Sequence, residues 1–150
     1  MPTTASLVST GDVLTATNFN LLPRGIVGVA TKTAAQTGIS STVDITSLTL
    51  TWTATSTRYY RTTVFCIAQQ NTSAGNAQII LTDGSGNTKS KSLYLQAAAD
   101  YWTSTVVAVE TGLSGSVTRK VQANTSAGTM SIYADATYPA LILVEDIGAA

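Results

Sequence analysis

The segment Leu48-Thr49-Leu50-Thr51-Trp52-Thr53 alternates a large apolar side chain with a threonine at every step. A period of two fits an extended strand, in which successive side chains project to opposite faces, and it does not fit a helix of 3.6 residues per turn. The segment therefore predicts a strand with one face in a core and the other in solvent. From Gly25 onward, similar short patterns recur between turn residues. Strands are expected near 26–34, 42–46, 48–54, 57–69, 76–83, 88–96, 101–111, 116–123, 129–135 and 140–146. Many short strands with turn signals at regular spacing point to an all-β antiparallel sandwich or barrel and away from βαβ units. The 150 residues, 44% of them apolar, make one domain able to bury roughly two thirds of its unfolded surface without a metal or disulfide staple.

Two segments break the alternation. Val106-Val107-Ala108-Val109 and Leu141-Ile142-Leu143-Val144 are apolar at every position, which predicts central strands covered on both sides or strands at a subunit interface. Asp83-Gly84-Ser85-Gly86-Asn87 reads as a hairpin turn, because Gly and Asn tolerate positive φ; as a calcium loop it lacks further carboxylates. The pentapeptide Asn71-Thr72-Ser73-Ala74-Gly75 is repeated at Asn124-Thr125-Ser126-Ala127-Gly128. Each copy follows one strand pattern and precedes another, so the pair predicts two equivalent loops at one end of a sandwich. Both copies match the glycosylation sequon, which has no consequence without a secretory route.

Residues 1–24 differ from the remainder. They carry no alternating pattern and end at Pro23-Arg24-Gly25, which separates an N-terminal arm from a domain spanning 25–150. Within the arm, residues 15–22 can form one or two helical turns, with a threonine cap at the start and Pro23 as the stop. Val13, Leu14, Phe19, Leu21 and Leu22 are its apolar anchors, either for its own domain or for a neighbour.

The chain holds little that could do chemistry. It has no histidine, so a Ser-His-Asp triad, a histidine base or a Cys/His zinc site cannot be assembled. No catalytic residue, cofactor site or metal site is predicted. Glu110 and Glu145, the two glutamates, are the one pair that a cryptic hydrolase could use. Eight basic and eight acidic residues give no basic stripe for nucleic acid, and near neutrality suits a chain that self-associates. Cys66 sits in an apolar run and reads as a buried small hydrophobe. The N-terminus lacks a signal-peptide plan, and no apolar stretch approaches a membrane span, so synthesis in a cytoplasm is expected. Tyr59, Tyr60, Tyr101 and Trp102 are candidate surface or interface aromatics. A carbohydrate site built from them is the rival reading, although Tyr59 and Tyr60, as strand neighbours, must face opposite ways.

The opening Gly11-Asp12-Val13-Leu14-Thr15-Ala16 followed by Asn18-Phe19-Asn20-Leu21-Leu22-Pro23-Arg24-Gly25 resembles that of small virion proteins of tailed bacteriophages. Leu48 to Thr53 with Arg58-Tyr59-Tyr60-Arg61, and the closing Leu141-Ile142-Leu143-Val144-Glu145-Asp146-Ile147-Gly148, resemble the same group. The resemblance implies a β-sandwich or jelly-roll module of minor tail or decoration type that often forms a homotrimer and has no catalytic residues. The expectation is thus a non-enzymatic virion protein, made in the host cytoplasm, whose partners are itself and other virion proteins. A capsid decoration protein and a carbohydrate-binding receptor module are the alternatives.

Overall fold

The computed structural model describes residues 20–150, and its strands follow the predicted pattern closely. They are β1 (Gly25–Lys32), β2 (Gln36–Ile39), β3 (Val43–Ala54), β4 (Arg58–Gln70), β5 (Gly75–Asp83), β6 (Thr88–Gln96), β7 (Tyr101–Glu110), β8 (Gly115–Thr125), β9 (Met130–Tyr133) and β10 (Ala140–Ala149). Two differences are informative. The expected strands at 42–46 and 48–54 are one strand, β3, whose register against β8 shifts between Asp44 and Thr49 while Ser47 takes φ 69°. A bulge of this kind re-aims the strand without ending it. Strand β2 was not expected, because Gln36-Thr37-Gly38-Ile39 contains a single large apolar residue.

All pairings are antiparallel, and they build two sheets. In the first, β4 pairs with β7 along one edge. Its other edge pairs with β10 through residues 58–65 and with β9 through residues 67–70, so β9 and β10 lie end to end as one interrupted strand. β1 and β2 flank β10 and β9 in the same end-to-end way. The second sheet has the order β3-β8-β5-β6. Counting each interrupted strand once leaves four lines in each sheet, and the connections cross between the sheets as in an eight-stranded jelly roll. The all-β sandwich expectation holds.

Alternation along the strands fills the space between the sheets. Ile45, Leu48, Val64, Ile79, Leu81, Val121, Met130, Ile132 and Ile142 are fully buried there, each contributing about 1.5–3 kcal/mol of transfer free energy. A second cluster of Trp52, Tyr60, Val117 and Val144 closes the end where β4 starts and β10 finishes. Cys66 lies in the main core, and burial pushes its thiol up to about 12, so it behaves as an inert hydrophobe. Polar contacts tie the two seams. Lys32 Nζ donates to Thr46 Oγ1 at 2.6 Å, and the Ser92 and Ser104 hydroxyls are 2.7 Å apart. Gly28 allows β1 to approach β3, since a Cβ there would meet Leu50 at 3.1 Å.

The repeated pentapeptides do lie at one end, and they hold each other. Gln70, fully buried, donates through Nε2 to the Ser73 and Ala127 carbonyls at 2.8 and 2.7 Å, one on each loop. Asn71 N–H donates to the Thr129 carbonyl at 2.8 Å, and Ser126 N–H to the Asn76 carbonyl at 2.9 Å. Gly128, at φ 62°, is required by both conformation and space: a Cβ would come within 2.3 Å of Thr72 Oγ1.

At the opposite end, Arg58 and Asp146 form a buried bidentate pair, Nε to Oδ2 at 2.7 Å and Nη2 to Oδ1 at 2.5 Å. The same guanidinium donates to the carbonyls of Asn20 and Leu22, where the arm enters the domain. Burial would raise the Asp146 carboxyl, but the hydrogen bonds from Arg58 and the Gly148 N–H outweigh it and hold the group below its ordinary 3.8. Its stabilising effect is therefore full above that value and is lost as pH falls below it. Arg58→Ala leaves the buried Asp146 carboxylate without its counter-ion, held by the Gly148 N–H, removes the Arg58 donor from the Asn20 and Leu22 carbonyls, and should cost about 3–5 kcal/mol in urea denaturation. Arg61→Ala, which breaks an exposed pair, should cost less than about 1 kcal/mol in the same assay.

Candidate interaction surface

The alternation that fills the interior also fixes the outer face of the first sheet, and that face is apolar. On β4 and β7 the even-numbered residues point inward and are buried, so the odd-numbered ones point out. Register then aligns Val29, Leu143, Thr63 and Val107 in one row across β1, β10, β4 and β7. The next row is Thr31, Leu141, Phe65 and Thr105, and Ile67 extends it along β4. On the other side lie Ile26, Glu145, Arg61 and Val109. Within that row Arg61 Nε donates to Glu145 Oε2 at 2.9 Å, so the pair is neutralised inside the sheet. The surface offers aliphatic side chains and threonine hydroxyls with no unpaired charge among these positions.

Val107 and Val109 are 44% and 56% exposed, and Ile26 and Val29 are also exposed. Of the two placements expected for the segments apolar on both faces, a central strand describes β10, which lies between β1 and β4 with Leu141 and Leu143 half-buried, and does not describe β7. β7 is an edge strand, and nothing among the described residues covers the outer face of its sheet. Exposed Val or Ile contributes almost nothing to folding, so this patch has no explanation inside the domain. Phe65, Ile67, Ile26 and Val29 belong to it and were not singled out from sequence; the uninterrupted apolar runs at 106–109 and 141–144 were the signal that pointed to it.

The other predicted residues fall as follows. Val13, Leu14 and Phe19 lie outside the described residues. Leu21 is exposed and Leu22 half-buried beside the Arg58 anchor. Tyr60 is buried, 5.9 Å from the Trp52 ring, and its hydroxyl accepts from the Thr55 N–H at 2.9 Å. Trp102 is buried 5.5 Å from the Tyr94 ring. Tyr59 and Tyr101 both face outward but stand at opposite ends of β4, opposite Gly148 and Gln69 respectively. The four aromatics do not form one stacking surface.

Glu110 and Glu145 lie on opposite faces of the first sheet. Glu110 points inward and grips Arg119 through contacts of 2.7–2.9 Å, and the Arg119 guanidinium in turn sits 5.6 Å over the Trp52 ring. A carboxylate pair split by a sheet cannot flank one bond. Asp83 is held well below the ordinary carboxylate range, first by the side chain and backbone N–H of Asn87 and also by Lys89 and Ser85. Its oxygens cap a turn. A depression of about 470 Å³ beside it is lined by Asp83, Lys89, Leu113, Val117 and Arg119, with Asp83 paired to Lys89 at 3.2 Å and Arg119 to Glu110.

No protein-family model and no curated protein matches the chain. Among solved structures, it is similar to that of the infectious bursal disease virus VP2 subviral particle, at 12% identity and TM-score 0.41 over 85% of this chain and 38% of that one. It is similar to the structure of infectious bursal disease virus Gx strain at 14% identity and TM-score 0.37, over 81% of this chain and 38% of that one. It is also similar to the enzymatically active domain of bacteriophage CBA120 tailspike protein 4, at 13% identity and TM-score 0.31, over 82% of this chain and 19% of that one. The chain thus spans well under half the length of each.

Neighbouring valines on β7 give a direct check of the face assignment. Val107→Lys should change unfolding free energy by no more than about 0.5 kcal/mol, as for other exposed sites. Val106→Lys places an ammonium in the core and should cost several kcal/mol or prevent folding. Both are read by denaturant titration.

Proposed function

We propose that this protein is a non-enzymatic virion structural module, of minor tail type, that assembles with copies of itself and with neighbouring virion proteins. The observation that carries this reading is the outer face of the first sheet: four strands wide, aliphatic, internally neutral and uncovered. Its densest part runs from Arg61 to Ile67 along β4, roughly 20 Å in each direction from strand spacing and rise, or about 400 Å² per copy. Two such faces together cover about 800 Å², less than the roughly 1,200 Å² of a specific, stable interface. A second contact is needed, and the arm supplies it. Its apolar residues Val13, Leu14 and Phe19 precede the point where Arg58 clamps the chain, so a neighbour can receive them while residues 20–22 stay with their own domain.

The catalytic rival has little to work with, since no histidine is present and the two glutamates are split by the sheet. A capsid decoration protein would use the same surfaces, and labelled-particle microscopy distinguishes it by location. Deletion of residues 1–19, which spares the clamped carbonyls, should leave unfolding free energy nearly unchanged and sharply reduce the chain's occupancy in purified particles. Full occupancy of the truncated chain would overturn the role of the arm. Absence of the intact chain from particles would overturn the virion assignment.

A further inference from the structure

Between β9 and β10, residues 134–139 leave the sheet as a short excursion organised by Asp135. Asp135 Oδ1 accepts the N–H groups of Thr137 and Tyr138, both at 2.7 Å, and its own N–H donates to the Tyr138 carbonyl at 3.3 Å. Asp135 Oδ2 accepts the Tyr133 hydroxyl at 3.2 Å. The Tyr133 ring meets Tyr101, from β7, edge to face, with centroids 6.5 Å apart and planes at 84°. Tyr101, Tyr133 and Tyr138 are nevertheless 56%, 42% and 59% exposed. Three large aromatics in solvent add little to folding, yet Tyr133 is fixed by a hydrogen bond and a ring contact, and Tyr138 stands on a capped turn. Such pre-ordering lowers the entropic cost of binding something.

We propose that Tyr101, Tyr133, Tyr138 and Asp135 form a binding site for a neutral saccharide. The C–H face of a pyranose ring stacks on exposed aromatic faces, and its hydroxyls donate to carboxylate oxygens. A carboxylate offers about four lone-pair positions, of which the contacts above occupy three, so Oδ2 keeps one for a sugar hydroxyl. The charged member of the cluster is acidic, which disfavours sialylated or phosphorylated glycans. The Tyr133 hydroxyl, pushed up first by its bond to Asp135, gives its one proton to that carboxylate and offers a sugar hydroxyl an acceptor. The cluster adjoins the far end of the outer face of the first sheet, with Tyr133 opposite Ile67 and Tyr101 opposite Gln69 on β4, and differs from that face in carrying tyrosines and a carboxylate in place of aliphatic side chains. It also differs from the aromatic set expected from sequence, sharing only Tyr101 with it. The inference does not depend on the assembly role.

The test is titration of the full chain by calorimetry and NMR with neutral glucose-, galactose- and mannose-based oligosaccharides, with sialyllactose as the anionic comparison. At least one neutral oligosaccharide should bind. Tyr101→Ala and Tyr138→Ala should each weaken that binding about tenfold, the loss of one aromatic contact. Tyr59→Ala, at the other end of the sheet, should leave it unchanged, and thermal melts of all three variants should match the parent. The proposal is overturned if no neutral member binds at millimolar concentration, if sialyllactose is preferred, or if binding survives both variants. It is equally overturned if Tyr138→Ala abolishes self-association and no sugar binds, which would make the cluster a protein contact.

Discussion

Each sheet of this sandwich has two faces, and the interior covers one of them. Packing β1, β4, β7, β9 and β10 against the second sheet buries Val64, Cys66, Val106, Ile132 and Ile142, and by the same alternation it turns Thr63, Phe65, Val107, Leu141 and Leu143 outward. A domain that had only to fold would place polar residues there, as β3 does with Thr49, Thr51 and Thr53. The outer face of the first sheet departs from that pattern over four strands, and on the second sheet Leu93 and Leu95 of β6 do so locally.

The two ends of the sandwich are closed by different means. At one, Gln70 bridges the twin pentapeptide loops, so the crossovers from β4 to β5 and from β8 to β9 brace each other. At the other, Arg58 and Asp146 form a buried pair that fixes the last strand and the point where the arm enters. Replacing a buried ion pair with apolar residues often costs nothing, whereas removing one partner costs several kcal/mol, so the gain here is in geometry. The clamp holds Asn20 and Leu22 between the start of β4 and the end of β10.

The strands and the twin loops were legible in the sequence because period-two patterning and turn residues are local signals. What escaped was set by non-local partners. Gly148, a breaker in isolation, sits in a bulge at φ 128° that lets β10 continue pairing with β4 as far as Ala149. β2 exists because β9 offers an edge to pair with, and its own residues carry little strand signal. The runs at 106–109 and 141–144 announced unusual burial demands, but only the register shows that they share one face with Ile26, Val29 and Phe65. The tyrosine cluster was hidden for a similar reason: Tyr101 and Tyr133 are neighbours solely because β7 and β9 flank the same stretch of β4.

That the outer face of the first sheet exists to be covered by another copy is the claim on which the assembly role rests. Sedimentation equilibrium of the intact protein, from micromolar to hundreds of micromolar, measures this most directly. The mass should be a multiple of the monomer and fall toward it when Val107 and Leu143 are both made lysine. A species that stays monomeric across the whole range would contradict it.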